Sequence, residues 1–353
     1  MRFKVCHIVG ARPNFIKAAP LIKSISKIAS IDQKIIHTGQ HYSKNLSDSF
    51  FEILKIPLPD YHLGVGSASH AAQTSKIMEC CEAVFLKELV DLVIVYGDVN
   101  STLAATLVAS KMNIPIAHVE SGLRSFDREM PEEINRVIVD HISDILLVSE
   151  ESGIDNLKRE GIEKGVSLVG NIMIDTLSDN CNFSTKEKEH VLMTCHRPSN
   201  VDSAEGLKKI LKICQMLDRK IVFPVHPRTK FKILSLGLSS DFDSIENLSM
   251  IDSQNYTSFL KLMKESSVII TDSGGIQEES TFLGIPCLTL RKNTERPSTV
   301  NIGTNTLVDN VDEIITLVNN IDQGTYKKGT VPALWDGNTA NRITNIIKDF
   351  LEN

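Results

Sequence analysis

Short runs of β-branched and aliphatic residues alternate with longer amphipathic stretches, and this alternation runs through the chain twice. Lys4–Val9, Lys34–His37, Leu92–Tyr96, Ile114–Val119 and Ile145–Val148 read as strands, each followed by a loop and a helical pattern. The pattern restarts with Ser167–Val169, His190–Thr194, Ile221–Val225, Val268–Thr271 and Cys287–Leu290. Strands in alternation with helices imply βαβ units around a parallel sheet. The predicted architecture is α/β, with two doubly wound Rossmann-like parallel-sheet domains facing a cleft. The expected boundaries are residues 1–169 and 170–338. A last helix, 339–353, carries Ile343, Ile346, Ile347, Phe350 and Leu351 on one face, has Thr339 as N-cap, and packs back on the first domain. The 353 residues are enough for two ordinary cores. Ligands of such sheets bind beyond the carboxyl ends of the strands.

Composition narrows the function classes. The net charge is −6, from 38 basic and 44 acidic residues, without a dense Lys/Arg run, so no nucleic-acid partner is expected. No segment approaches the roughly 18–20 apolar residues of a membrane span. Met1–Gly10 reads as a first strand rather than a leader. Seven cysteines, without a C-x-x-C pair, suit reduced thiols in a cytoplasmic protein. No clustered His/Asp set or H-x-x-x-H appears, and no metal is inferred.

Candidate chemistry sits where strands end. Gly10-Ala11-Arg12-Pro13 leads from the first strand into a helix, with Pro13 suited to its first position. Arg12 and Lys17 then lie where a helix dipole already favours anions, which argues for anion binding over a merely exposed pair. Thr271-Asp272-Ser273-Gly274-Gly275 is a second strand–turn–helix junction, whose glycines let backbone N–H groups approach phosphate oxygens. Glu279 follows within the first two turns, available to ribose hydroxyls or to the helix dipole. Arg291-Lys292-Asn293-Thr294-Glu295-Arg296-Pro297 follows the last clear strand. Pro297 keeps Arg296 extended, open either to phosphate or to solvent.

Asp98, Glu120 and Glu132 follow first-domain strands and are able to converge at one sheet edge; Glu133 reads as a helix-capping or water-facing carboxylate. His196 and His226, each followed by Arg within two residues, end consecutive second-domain strands. They suit either structural hydrogen bonds or ligand contact. No G-x-S-x-G elbow is present.

Taken together, Gly10-Ala11-Arg12-Pro13, Thr38-Gly39-Gln40-His41, Tyr96-Gly97-Asp98, His118-Val119-Glu120-Ser121-Gly122-Leu123-Arg124, Pro131-Glu132-Glu133-Ile134-Asn135-Arg136, His196-Arg197, Asp272–Glu279 and Thr294-Glu295-Arg296-Pro297 resemble the non-hydrolysing UDP-N-acetylglucosamine 2-epimerase family. The resemblance spans essentially the whole chain and implies a GT-B fold, a homodimer, a UDP-sugar substrate and no cofactor. It implies interconversion of UDP-GlcNAc and UDP-ManNAc through elimination and re-addition of UDP. Carried over by motif, Arg12, His196, Arg296 and the Ser273, Gly274 and Gly275 backbone hold the diphosphate. Glu279 holds the ribose, Gln254 and Phe259 lie against uracil, and Lys17, Asp98, Glu120 and Glu132 surround the sugar. The three acids are the proton-transfer candidates.

One departure concerns regulation. Several bacterial members carry a second Arg after His-Arg that helps bind an additional UDP-GlcNAc as activator; here that position is Pro198. Gln40, His41 and His226 are what this sequence retains for such a site. Rival readings are a diacetamido uronic acid UDP-sugar 2-epimerase, a hydrolysing 2-epimerase and a glycosyltransferase of the same fold. A nucleotide-sugar-binding regulator is the non-enzymatic alternative.

Overall fold

The computed structural model describes residues 2–40, 51–181 and 188–353, and for Arg12 the backbone alone. His41 therefore lies outside the described residues. The chain divides into two compact units: residues 1–179 with 333–353, and residues 180–332.

The first unit is built on a seven-stranded, wholly parallel sheet: β1 (Phe3–Val9), β2 (Ile31–His37), β3 (Tyr61–His62), β4 (Leu92–Tyr96), β5 (Ile116–Ser121), β6 (Ile145–Val148) and β7 (Val166–Leu168). Their spatial order is β3-β2-β1-β4-β5-β6-β7. The order reverses between β1 and β4, the switch point at which doubly wound sheets open their carboxyl edge. β4 reads Leu-Val-Ile-Val-Tyr and is buried throughout, as a parallel strand covered by helices on both faces requires.

The second unit repeats the plan with β8 (His190–Thr194), β9 (Ile221–Val225), β10 (Leu248–Asp252), β11 (Ser266–Thr271), β12 (Cys287–Leu290) and β13 (Asn305–Val308) in the order β10-β9-β8-β11-β12-β13. Its core gathers Val191, Met193, Phe223, Ile270 and Leu288 from the sheet with Leu207, Ile210 and Ile314 from the helices.

Several expectations are corrected. The run at Ser167–Val169 pairs with β6 as the edge of the first sheet and does not open the second series. The units divide at Asp179/Asn180 instead of Val169/Gly170, because the helix Ile172–Asn180 buries its inner face in the first unit, where Thr176 donates to the Ile16 carbonyl at 2.6 Å. The terminal helix Thr339–Glu352 does pack against the helix Arg12–Ile25. Its N-cap, however, is Asn338, and Asp175 accepts from the Thr339 and Ala340 amides at 3.2 and 2.7 Å. Ile343 and Ile347 are buried there while Phe350 is exposed.

Candidate active site

In the first unit, the chain leaves β1 through Gly10 and Ala11. Asn14, one turn into the helix Arg12–Ile25, accepts from both of their amides at 3.2 and 2.9 Å and donates to the Tyr96 carbonyl at 2.8 Å. This side chain ties the ends of β1 and β4 together. Pro13 takes the second helical position rather than the first. Lys17, one turn further, is buried and ion-paired with Glu120. Its charge thus serves the strand ends instead of the helix terminus.

Glu120 interrupts β5. The register against β6 slips between Val119 and Ser121, and Glu120 adopts φ +72°. A bulge of this kind re-aims a side chain, here towards Lys17. Gly97, at the end of β4, also has positive φ (+61°), and a Cβ there would stand 2.9 Å from Lys17 Nζ and 3.0 Å from Glu120 Oε2. A side chain here would be strained by the positive φ and would press on the pair.

Asp98 follows directly and is half-buried, held by Arg136. Arg136 is held in turn by Glu133, which also accepts from the Ser125 and Phe126 amides at 2.9 and 2.8 Å. Glu133 is therefore buried, which removes the water-facing role from the alternatives, helix-capping or water-facing, that the sequence leaves open. Glu132 is the exposed one of the two. The structure thus pairs Lys17 with Glu120 beside Gly97, places Asp98 one residue further along the chain, on Arg136, and sets Glu132 at the start of the adjoining helix Pro131–Ile142. Gln40 is buried and internally engaged: its Oε1 accepts from the Ser101 amide at 3.1 Å and hydroxyl at 2.7 Å, near the start of the helix Asn100–Lys111.

In the second unit, the residues at the carboxyl edge are organised by Asp272. Its buried carboxylate accepts from the His196 and Arg197 amides at 3.0 and 2.9 Å and from Asn200 Nδ2 at 3.0 Å, and lies 3.4 Å from His196 Nδ1. His196 is left partly exposed, its ring centroid 5.8 Å from that of His226. His226 caps the helix Pro227–Ser235 by accepting from the Arg228 amide at 3.2 Å.

Ser273 is the N-cap of the helix Gly274–Phe282, and Arg296 crosses over its first turn: a Cβ on Gly274 would lie 2.7 Å from the guanidinium. Arg296 pairs with Glu278 at 3.0 Å and with Glu295, which also holds Arg291 at 2.7 Å. Arg197 belongs to the same cluster. Burial and the positive charges of Arg291 and Arg296 draw it below the ordinary arginine value, against the pull of Glu295 and Asp272.

Glu279 is buried, and burial raises its carboxyl to about 8, with Glu278 adding to the rise and the Tyr256 hydroxyl, which donates at 3.1 Å, opposing it. A carboxyl that holds its proton near neutrality can donate to a hydroxyl as well as accept. Tyr256 begins the helix Tyr256–Lys264, with Gln254 two residues before it and Phe259 one turn on, both half-buried. Asp272 and Arg197 lie inside motifs visible in the sequence, yet their roles follow from bonds to residues as many as 76 positions away.

Two Rossmann-like units in succession, each with its charged side chains at the carboxyl edge of a parallel sheet, define an enzyme of the GT-B fold class. At 12% identity and a TM-score of 0.55 over 99% of this chain and 100% of the other, a lipopolysaccharide outer core galactosyltransferase shares that fold alone. The family model for UDP-N-acetylglucosamine 2-epimerase matches residues 23–348. A UDP-N-acetylglucosamine 2-epimerase from Methanocaldococcus jannaschii is 45% identical over 334 residues, 89% of this chain and 91% of that protein. A crystal structure of a M. jannaschii UDP-GlcNAc 2-epimerase in complex with UDP-GlcNAc and UDP matches with a TM-score of 0.90 and 42% identity, covering 98% of this chain and all of that one. A UDP-2,3-diacetamido-2,3-dideoxy-D-glucuronate 2-epimerase from Pseudomonas aeruginosa is 40% identical over 325 residues, 88% of this chain and 90% of that protein. The chain belongs to the UDP-N-acetylglucosamine 2-epimerase family and is an isomerase. Among the described residues no helix is long and apolar enough to cross a membrane.

Proposed function

We propose that the chain inverts C2 of UDP-N-acetylglucosamine, forming UDP-N-acetylmannosamine for a cell-surface polysaccharide, and that it does so as a cytoplasmic homodimer without an added cofactor. The unpaired state of all seven cysteines is consistent with a reducing compartment.

The reaction runs by elimination and return. A carboxylate takes the C2 proton, the C2–H electron pair becomes the C1–C2 double bond of 2-acetamidoglucal, and the C1–O bond breaks with its electrons going to UDP. UDP then re-adds at C1 while C2 is protonated on the opposite face. Such a reaction needs proton-transfer groups on both faces of the sugar, because a single one would return the starting epimer. The observation that carries the reading is the Lys17–Glu120 ion pair set against Gly97, with Asp98 the next residue in the chain and Glu132 on the adjoining helix. The C2 proton is weakly acidic, so the charge growing on the leaving diphosphate must be stabilised as well. Arg12, Arg296, His196 and the Ser273–Gly275 backbone are assigned that task, with Arg197 as an addition. Glu279 takes the ribose hydroxyls, and Gln254 and Phe259 the uracil.

Proton NMR of the protein with UDP-GlcNAc in D₂O tests this. Appearance of UDP-ManNAc with deuterium entering at C2 is the expected result. Free ManNAc accumulating with UDP would make the chain a hydrolase instead. The 40% identity to the P. aeruginosa enzyme supports a second reading, in which the substrate is a diacetamido uronic acid UDP-sugar. Exchange with that substrate and none with UDP-GlcNAc would select it. We assign Gln40, His41 and His226 to a second UDP-GlcNAc site that Pro198 has weakened; a hyperbolic saturation curve is expected, and strong sigmoidicity would overturn the assignment.

A further inference from the structure

We propose that His118 and Asp140 are positioning residues for Glu120: Asp140 holds the His118 imidazole on one side of it and the Gly122 amide on the other, so that the Glu120 carboxylate stays against Lys17. The inference rests on the reading of Glu120 as a proton-transfer group.

Neither residue stands among the sugar-facing groups assigned above, and both are buried. Burying ionisable side chains is costly unless they are fully paired, and these are. Asp140 Oδ1 lies 2.7 Å from His118 Nδ1, two residues before Glu120. Asp140 Oδ2 accepts from the Gly122 amide at 3.0 Å, two residues after it. One carboxylate therefore closes over both flanks of the bulge. The other imidazole nitrogen, His118 Nε2, lies 2.9 Å from the Gly97 carbonyl, and the Gly97 amide donates to the Val119 carbonyl at 3.0 Å. The turn that carries Asp98 is thereby tied to the bulge that carries Glu120. Arg124 completes the grip, donating to Asp140 Oδ2 at 2.6 Å and to both oxygens of Glu160 at 2.8 and 2.7 Å.

Such a frame has a specific purpose at this position. A non-glycine residue at positive φ persists only where its surroundings over-determine it, and Glu120 sits at φ +72°. Without the two flanking bonds the strand is free to regain regular register, and a one-residue shift turns a side chain to the opposite face of the sheet. Glu120 would then leave Lys17.

The test is a double-mutant cycle on kcat and KM for epimerisation with Asp140→Asn and Glu120→Gln. Asp140→Asn is expected to lower kcat about 100-fold, the usual effect of displacing a reacting group by about 1 Å, with KM and UDP affinity within about threefold. In the Glu120→Gln background the same substitution should have almost no further effect, because residues that act as a unit are not additive. Equal losses in both backgrounds, or a raised KM at unchanged kcat, would overturn the proposal. If Asp140→Asn does not accumulate as folded protein, His118→Gln, which keeps a donor for the Gly97 carbonyl and loses the one for Asp140, enters the same cycle with the same expectation. A crystal structure of either variant provides a readout independent of turnover. Glu120 should have left positive φ and separated from Lys17; finding both unchanged refutes the positioning role. Absence of C2 exchange by the unaltered chain refutes the functional reading alone.

Discussion

Glu279→Gln tests the electrostatics of the second unit most directly. Glu279 is 4% exposed, and its carboxyl is raised from the ordinary 4.5 to about 8 by burial, with Glu278 adding to the rise and the Tyr256 hydroxyl opposing it. Because the folded-state value lies above the unfolded one, the folded unit keeps a proton that the unfolded chain has already released. The stability this contributes is complete below about pH 4.5 and is lost as pH rises to about 8, at about 1.4 kcal/mol per pH unit. The full window is worth ~5 kcal/mol, and the span from about pH 5 to about pH 8 roughly 4 kcal/mol. Glutamine has the same size, offers Tyr256 an acceptor and has no proton to lose. The stability of Glu279→Gln relative to the unaltered protein should therefore grow steadily over that span and level off above it. For a domain of this size the gap in Tm widens by about 10 °C. Thermal unfolding of both proteins in matched buffers measures it, and titrations common to the two cancel in the difference. A gap that is constant with pH, or that narrows as pH rises, would refute the argument that Glu279 holds its proton near neutrality.

Three further outcomes follow from the geometry. Gly97→Ala places a methyl 2.9 Å from Lys17 Nζ at a φ of +61°. It should cost about 1–2 kcal/mol of stability and depress kcat while leaving calorimetric UDP affinity intact, whereas unchanged turnover would remove the Lys17–Glu120 pair from the chemistry. Asp175→Ala strips both capping bonds from the terminal helix and should cost about 1–2 kcal/mol. Fluorescence of Trp335, the single tryptophan, whose indole donates to the Ser149 carbonyl at 3.1 Å within the same unit, follows that loss during denaturation; an unmoved midpoint would contradict the cap. Gly274→Ala drives a Cβ to 2.7 Å from the Arg296 guanidinium, so UDP affinity measured by titration calorimetry should fall about tenfold or more, the scale of one charged hydrogen bond. Undiminished affinity would take Arg296 out of diphosphate binding.

Much of the scaffold is legible in the sequence because its cause is local. Leu92–Tyr96, Ile145–Val148, His190–Thr194, Ile221–Val225 and Cys287–Leu290 are strands with the bounds their residues suggest, since parallel strands buried on both faces are continuous apolar runs. Edge strands lack that signature. Tyr61–His62 has two residues, Asn305–Val308 opens with Asn-Thr, and Leu248–Asp252 is only partly buried; none stands out by composition. Ser167–Val169 is recognisable as a strand, but its partner is not, because pairing with β6 is settled by packing between the two strands and not by either one.

The site divides along the same line. Residue types and their order along the chain place Asp98, Glu120, His196 and Ser273 at strand ends, Lys17 early in the following helix and Arg296 in the loop after a strand, without reference to coordinates, because a βαβ repeat delivers every strand–helix junction to one edge of its sheet. What each side chain does there is decided in three dimensions. Glu132 and Glu133 are chemically identical neighbours, and the phase of one helix makes the first exposed and the second a buried clamp. Glu120 finds Lys17 across 103 residues because the bulge in β5 turns it there and Gly97 leaves room. Burial and Coulomb interaction depend on distance through space, and a linear sequence specifies those distances only once the two sheets have assembled.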